Sequence, residues 1–243
     1  MIVAERKLFD DLYAKASQHK KVLLLGCGTC VTVCMAGGEK EVDILSSQLK
    51  LAARERGDDF EVTTHTIVRQ CDDEFFDEET SRKIAAADAV ITLACGVGVQ
   101  FCSEKYSGKR VYAGVNTVFY GATVEQGMWE ERCAGCGECI VDKFAGICPV
   151  ARCAKSLMNG PCGGSSGGKC EVNSETDCAW ALIVERMKAL GTLEELSEIT
   201  LPKDWSTSRD GGRLFLPRTH NAACVSHARR CSGSPRRLSG AAT

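Results

Sequence analysis

The sequence predicts an α/β protein: a parallel-sheet N-terminal domain with helices on both faces, then a small cysteine-rich domain. Three observations predict it. Apolar runs of strand length alternate with amphipathic helical segments through the first half of the chain. Eight cysteines then crowd into residues 133–178, where glycine is frequent and apolar periodicity fades. A helical apolar face returns over residues 179–190, through Leu182, Ile183 and Met187.

The elements follow in order. Leu8, Leu12 and Ala16 recur at helical spacing and predict an opening helix. Residues 21–26, an apolar run ending in Gly26, read as a buried strand. Val42, Leu45, Leu49 and Ala52 line one face of a helix over residues 38–56, which Gly57 stops. Residues 60–68 are rich in β-branched side chains and read as a second strand. A helix over 78–87, a third strand over 89–94 and a fourth over 110–115 complete the pattern. Strands separated by helices imply parallel pairing through right-handed crossovers. The predicted division is an α/β domain over 1–128, a cysteine-rich domain with its closing helix over 129–200, and an extension over 201–243. The extension reads as disordered from residue 213. The six arginines of residues 213–243 leave 24 basic against 32 acidic side chains in residues 1–212, a net charge of −8 there.

Composition narrows the classes. The 243 residues, 44% hydrophobic and 26% charged, can build one good core or two small ones. A net charge of −2 and 6% aromatics argue against nucleic acid as a partner. No run is apolar enough to span a membrane, and the charged start lacks a signal-peptide core. A cytoplasmic, reducing location follows. There, 16 cysteines beside four histidines point to thiol-bound metal rather than disulfides.

The first constellation is Cys27-Gly-Thr-Cys30-x3-Cys34, which begins where the first strand ends. The carboxyl edge of a parallel sheet is where such folds place cofactors. Three thiolates on a glycine-loosened loop can reach three corners of one centre, and the helix that follows aims its positive end there. Cys95, just past the third strand, is the expected fourth ligand. Cys102, expected inside a helix, is a weaker candidate, and Cys71 weaker still. The rival readings are a dithiol redox pair at Cys27 and Cys30, and a dinucleotide loop that lacks its third glycine.

The second constellation is Cys133-x2-Cys136-x2-Cys139 followed by Cys148-Pro149. Two-residue gaps let a loop wrap an iron–sulfur cubane, as in the bacterial ferredoxin run, although the gap before Cys148 is longer here. Zinc sites usually pair C-x2-C with a distant second pair, so the triple favours iron–sulfur. Cys153, Cys162, Cys170 and Cys178 bring the set to eight, enough for two four-thiolate centres. A segment with so few periodic apolar residues is expected to depend on that metal for its fold.

These residues resemble a known family. The runs Cys133-Ala-Gly-Cys-Gly-Glu-Cys139, Gly146-Ile-Cys-Pro-Val-Ala-Arg-Cys-Ala-Lys155 and Asn159-Gly-Pro-Cys-Gly-Gly164 are similar to the C-terminal-domain family of methylenetetrahydrofolate reductase, in its separate-subunit, MetV-type form. Leu23-Leu-Leu-Gly-Cys-Gly-Thr-Cys30, Ala94-Cys-Gly-Val-Gly-Val-Gln100 and Lys203-Asp-Trp-Ser206 resemble it too. The resemblance implies a partner subunit carrying two to three [4Fe-4S] clusters, with zinc as the other metal seen in the family. The flavin and the reduction of methylene to methyl on folate belong to a separate catalytic subunit. Further electron-transfer subunits join some such complexes, which serve the methyl branch of carbon fixation, the Wood–Ljungdahl pathway. The tail after Gly212 departs from the family, so Cys224, Cys231, His220 and His227 are not counted as ligands.

No catalytic set emerges. His19 and His65 lack patterned partners, and Trp129, Trp180 and Trp205 read as packing residues. Asn116 and Thr117 read as an ordinary turn. The expected function is therefore a non-catalytic electron-transfer and scaffold subunit. The alternatives are a structural zinc module that docks a partner, and a C-x-x-C thiol oxidoreductase.

Overall fold

The computed structural model describes residues 1–208 and the backbone of 214–215 and 229–230. The expected disorder from residue 213 and the tail residues Cys224, Cys231, His220 and His227 lie outside the described residues. The chain divides into two compact units, Met1–Glu131 and Arg132–Thr243. Among the described residues no helix is long and apolar enough to cross a membrane.

In the first unit, β1 (Ile2–Arg6) leads through α1 (Phe9–Ala16) to β2 (Lys21–Cys27), then to the single turn α2 (Cys30–Val33) and to α3 (Glu39–Arg56). β3 (Glu61–Ile67), α4 (Glu78–Ala86), β4 (Ala89–Thr92), α5 (Gly96–Lys105) and β5 (Arg110–Ala113) follow. The strands β3-β2-β4-β5 form a four-stranded sheet, parallel throughout. Period-2 alternation sends Val22 and Leu24 of β2 to one face and Leu23 and Leu25 to the other, and all four are buried. The first face packs on α1 and α3, the second on α4 and α5. That two-sided burial is why β2 reads as an unbroken apolar run. Gly57 ends α3 at φ 74°, as expected, and Asp77 accepts the Thr80 N–H to open α4.

A second sheet was not anticipated. β6 (Val115–Glu125) lies between β1 and β7 (Met128–Cys133), and β1 runs antiparallel to it. The predicted strand over 110–115 splits at Gly114, where a Cβ would collide with Leu93 Cδ2. The chain leaves the parallel sheet there. Asn116 and Thr117 therefore lie in a strand opposite Glu5 and Ala4, not in a turn. β1 escapes a period reading because it is five residues long and ends in Glu5-Arg6.

The second unit also corrects an expectation. The segment 133–178 does contribute to an apolar core. Ile140, Phe144, Ile147, Val150 and Cys178 pack with Trp180, Ile183 and Met187 of α7 (Ala179–Leu190), which lies beyond α6 (Pro149–Arg152). Burying side chains of this size is worth about 1.5–3 kcal/mol each, so metal is not the sole source of order there. These residues sit in short turns, so no local period announces them. Trp180 packs edge-on against Phe144, and its indole N–H donates to the Leu157 carbonyl at 2.9 Å.

Candidate metal centres

At the carboxyl edge of the parallel sheet, the register places Cys27 opposite Ile67 and Leu25 opposite Thr92. β2 thus ends at Cys27, the chain beyond β3 passes Gln70-Cys71, and Cys95 stands just past β4 as the N-cap of α5. Gln70 ties these ends together. Wholly buried, its amide donates to the carbonyls of Leu25 (3.0 Å) and Gly26 (2.9 Å), and its oxygen accepts from the Thr92 hydroxyl at 2.5 Å. The Thr92 hydroxyl in turn accepts the Ala94 N–H. Gly98 in α5 comes so close that a Cβ would lie 2.7 Å from Ala94 Cβ and 2.9 Å from Gln70 Cβ. The Gly96 N–H, beside Cys95, donates to the Thr117 hydroxyl at 2.8 Å.

The thiols of this edge are differently placed. Cys27 is buried, and its sulfur lies 3.6 Å from the Thr29 hydroxyl. Cys30 opens α2, which has only one turn. Cys34 turns toward β1: its sulfur accepts the Ala4 N–H at 3.4 Å, and burial pushes its thiol up. Cys71 is exposed, and its thiol is raised first by partial burial of the group and then by the charges of Cys27 and Cys95. Cys102 is sealed among Leu23, Leu25 and Phe76, and burial alone pushes its thiol up to about 11.

In the second unit several thiols meet backbone N–H groups. Cys133 Sγ accepts from Gly135 at 3.4 Å, and Cys148 Sγ from Ala151 at 3.5 Å. The Cys170 thiol is lowered, first by the N–H of Asn173 and then by that of Val172. Such bonds favour the thiolate, the form that binds metal. Cys136 points its thiol at the Glu138 carbonyl, and Cys139 is exposed beside it. Cys153 borders the apolar core and Cys178 is buried in it. Cys162 donates to the Glu171 carboxylate, which also pairs with Lys155.

A strap over residues 203–207 grips the Cys133–Cys139 loop. The buried Lys203 ammonium donates to the Glu138 carbonyl, and the Asp204 N–H to the Glu138 carboxylate. The Thr207 hydroxyl donates to the Cys136 carbonyl at 3.0 Å. Sequence reasoning noted Lys203-Asp-Trp-Ser206 only as a resemblance, because its contacts lie some 65 residues away in the chain. Gln70 was missed for the same reason.

All the cysteines among the described residues are free thiols, and no three or more Cys, His, Asp or Glu side chains there stand close enough to hold a metal ion as placed. No curated protein and no solved structure matches the chain. From Tyr112 in β5 to Ser206 in the strap, the chain matches the family described as methylene-tetrahydrofolate reductase C terminal.

Proposed function

We propose that this chain is the metal-carrying partner subunit of a methylenetetrahydrofolate reductase. The observation that carries the reading is a coincidence in place. The family match over 112–206 spans the cysteine loop and the strap that grips it. The donor set fits thiolate-bound metal: the thiols are free, and backbone N–H groups already serve the sulfurs of Cys133, Cys148 and Cys170. Cys133, Cys136, Cys139 and Cys148, with Cys153, Cys162, Cys170 and Cys178, would hold metal in the second unit. Cys27, Cys30 and Cys95, with Cys34 expected from the sequence, would hold it in the first.

An iron–sulfur cluster supplies one-electron transfer, here to or from a flavin in a catalytic partner. This chain's own residues hold the thiolates, offer N–H groups to them and keep the loop closed. The zinc alternative gives the same residues a structural task only.

The test is the metal content of the anaerobically purified chain, and then its coexpression with a flavin-bearing reductase subunit. About eight to twelve irons per chain with matching sulfide supports the reading. Zinc without sulfide supports the docking module, and neither metal supports a dithiol enzyme. The isolated chain is expected to show no folate reductase activity, and full activity from it alone would overturn the subunit reading.

A further inference from the structure

We propose that Cys71 is a thiolate ligand of the centre at the carboxyl edge, sharing it with Cys27, Cys30 and Cys95, and that Cys34 lies outside it. This rests on the reading that the edge holds metal, and it changes which thiols hold it.

The argument starts from topology. β3, β2 and β4 are adjacent and parallel, so the chain leaves all three at one edge. The exits of β3 and β4 each carry one cysteine within four residues of the strand, Cys71 and Cys95, and that of β2 carries two, Cys27 and Cys30. Neighbouring strands lie roughly 4.8 Å apart, so the three exits stand side by side; as placed their thiols do not converge, and the proposed centre forms by side-chain rotation.

Two features hold the β3 exit in position. The Gln70 side chain bonds to β2 at Leu25 and Gly26 and to β4 at Thr92, so the residue before Cys71 is fastened to the strands that carry Cys27 and Cys95. Gly98 lets α5 close onto Gln70, which brings the Cys95 end of that helix against the same residue.

Cys34 is committed elsewhere. It lies one turn along from Cys30 and packs against Val3 and Ala4, with its sulfur bonded to the Ala4 backbone. Rotating it to the edge would break that bond and open the core under β1.

The experiment uses the full chain, purified anaerobically. Iron, sulfide and zinc per chain are measured for the wild type and for Cys27→Ser, Cys71→Ser and Cys34→Ala. Alkylation of wild-type thiols is mapped by mass spectrometry before and after chelation. Cys71→Ser is expected to lose the same metal as Cys27→Ser, and Cys34→Ala to keep it. Cys71 should resist alkylation in the loaded chain and react at least tenfold faster once stripped. Because the alkylation map uses the wild type, it does not depend on any variant folding. If Cys27→Ser loses metal while Cys71→Ser keeps it, and Cys71 alkylates equally in both states, the assignment of Cys71 is wrong. If Cys27→Ser also keeps all metal, the edge is not a metal centre and the underlying reading falls with it.

Discussion

The Lys203 ammonium, on a side chain only 1% exposed, donates to the Glu138 main-chain carbonyl at 2.5 Å and lies 3.5 Å from the Glu138 carboxylate. A buried cation thus fastens the middle of the Cys136–Cys139 turn, with the Trp205 ring 5.7 Å from the ammonium. Lys203→Met removes the donor and leaves that carbonyl only the Cys136 thiol, 3.8 Å away. The expected cost is about 1–3 kcal/mol, seen as faster hydrogen exchange across residues 133–139. Unchanged exchange would mean that the strap does not hold the loop.

Gly137 tests the same contact from the other side. Its φ is 84°, and a Cβ there would meet the Thr207 carbonyl oxygen. Gly160 has φ 99° with open space around it, so it separates strain from collision. Gly160→Ala should cost about 1–2 kcal/mol from the left-handed backbone alone. Gly137→Ala should cost clearly more and should also release the strap, which limited proteolysis near residue 205 would detect. Equal melting temperatures for the two variants would count against a tight contact.

Gln70→Ala deletes three buried hydrogen bonds and leaves the Thr92 hydroxyl proton without its acceptor. On the order of 3 kcal/mol of stability should be lost, read as a lower denaturation midpoint of the full chain. Gln70→Glu should be no better at neutral pH, because a carboxylate cannot donate to the carbonyls of Leu25 and Gly26. A variant as stable as the wild type would remove Gln70 as the tie.

His65 carries a pH prediction. Burial first, and then Lys83, hold its pKa below the ordinary value. Nδ1 lies 3.0 Å from the Lys83 ammonium, so it is the acceptor, and Nε2–H donates to the Thr80 hydroxyl. The unfolded chain therefore takes up this proton at a higher pH than the folded one. Stability present above about pH 6.5 is lost as pH falls through the folded value. Between pH 7.5 and 5.5 the wild type should lose more stability than His65→Gln, and parallel curves would reject the assignment.

Much of the first unit was legible because its signals are local. The alternation that buries Leu23 and Leu25 on one face and Leu24 on the other, the helical spacing of Val42, Leu45 and Leu49, and the stop at Gly57 all lie within a few residues of one another. The same holds for the clustering of Cys133, Cys136 and Cys139 and for the position of Cys27 at a strand end. The three-stranded sheet was not legible, because β1 gains its partner some 110 residues later and its polar half hides the period. The core around Phe144 and Trp180 was not legible either, since its members come from short turns joined only by packing. Which thiols share a neighbourhood was likewise decided in three dimensions. Cys34 sits in the same motif as Cys27 and Cys30, yet hydrogen-bonds to Ala4, whereas Cys71, distant in the chain, is brought to the edge by Gln70. Spacing sets what a loop can reach, and the hydrogen bonds and close packing around each sulfur set where it points.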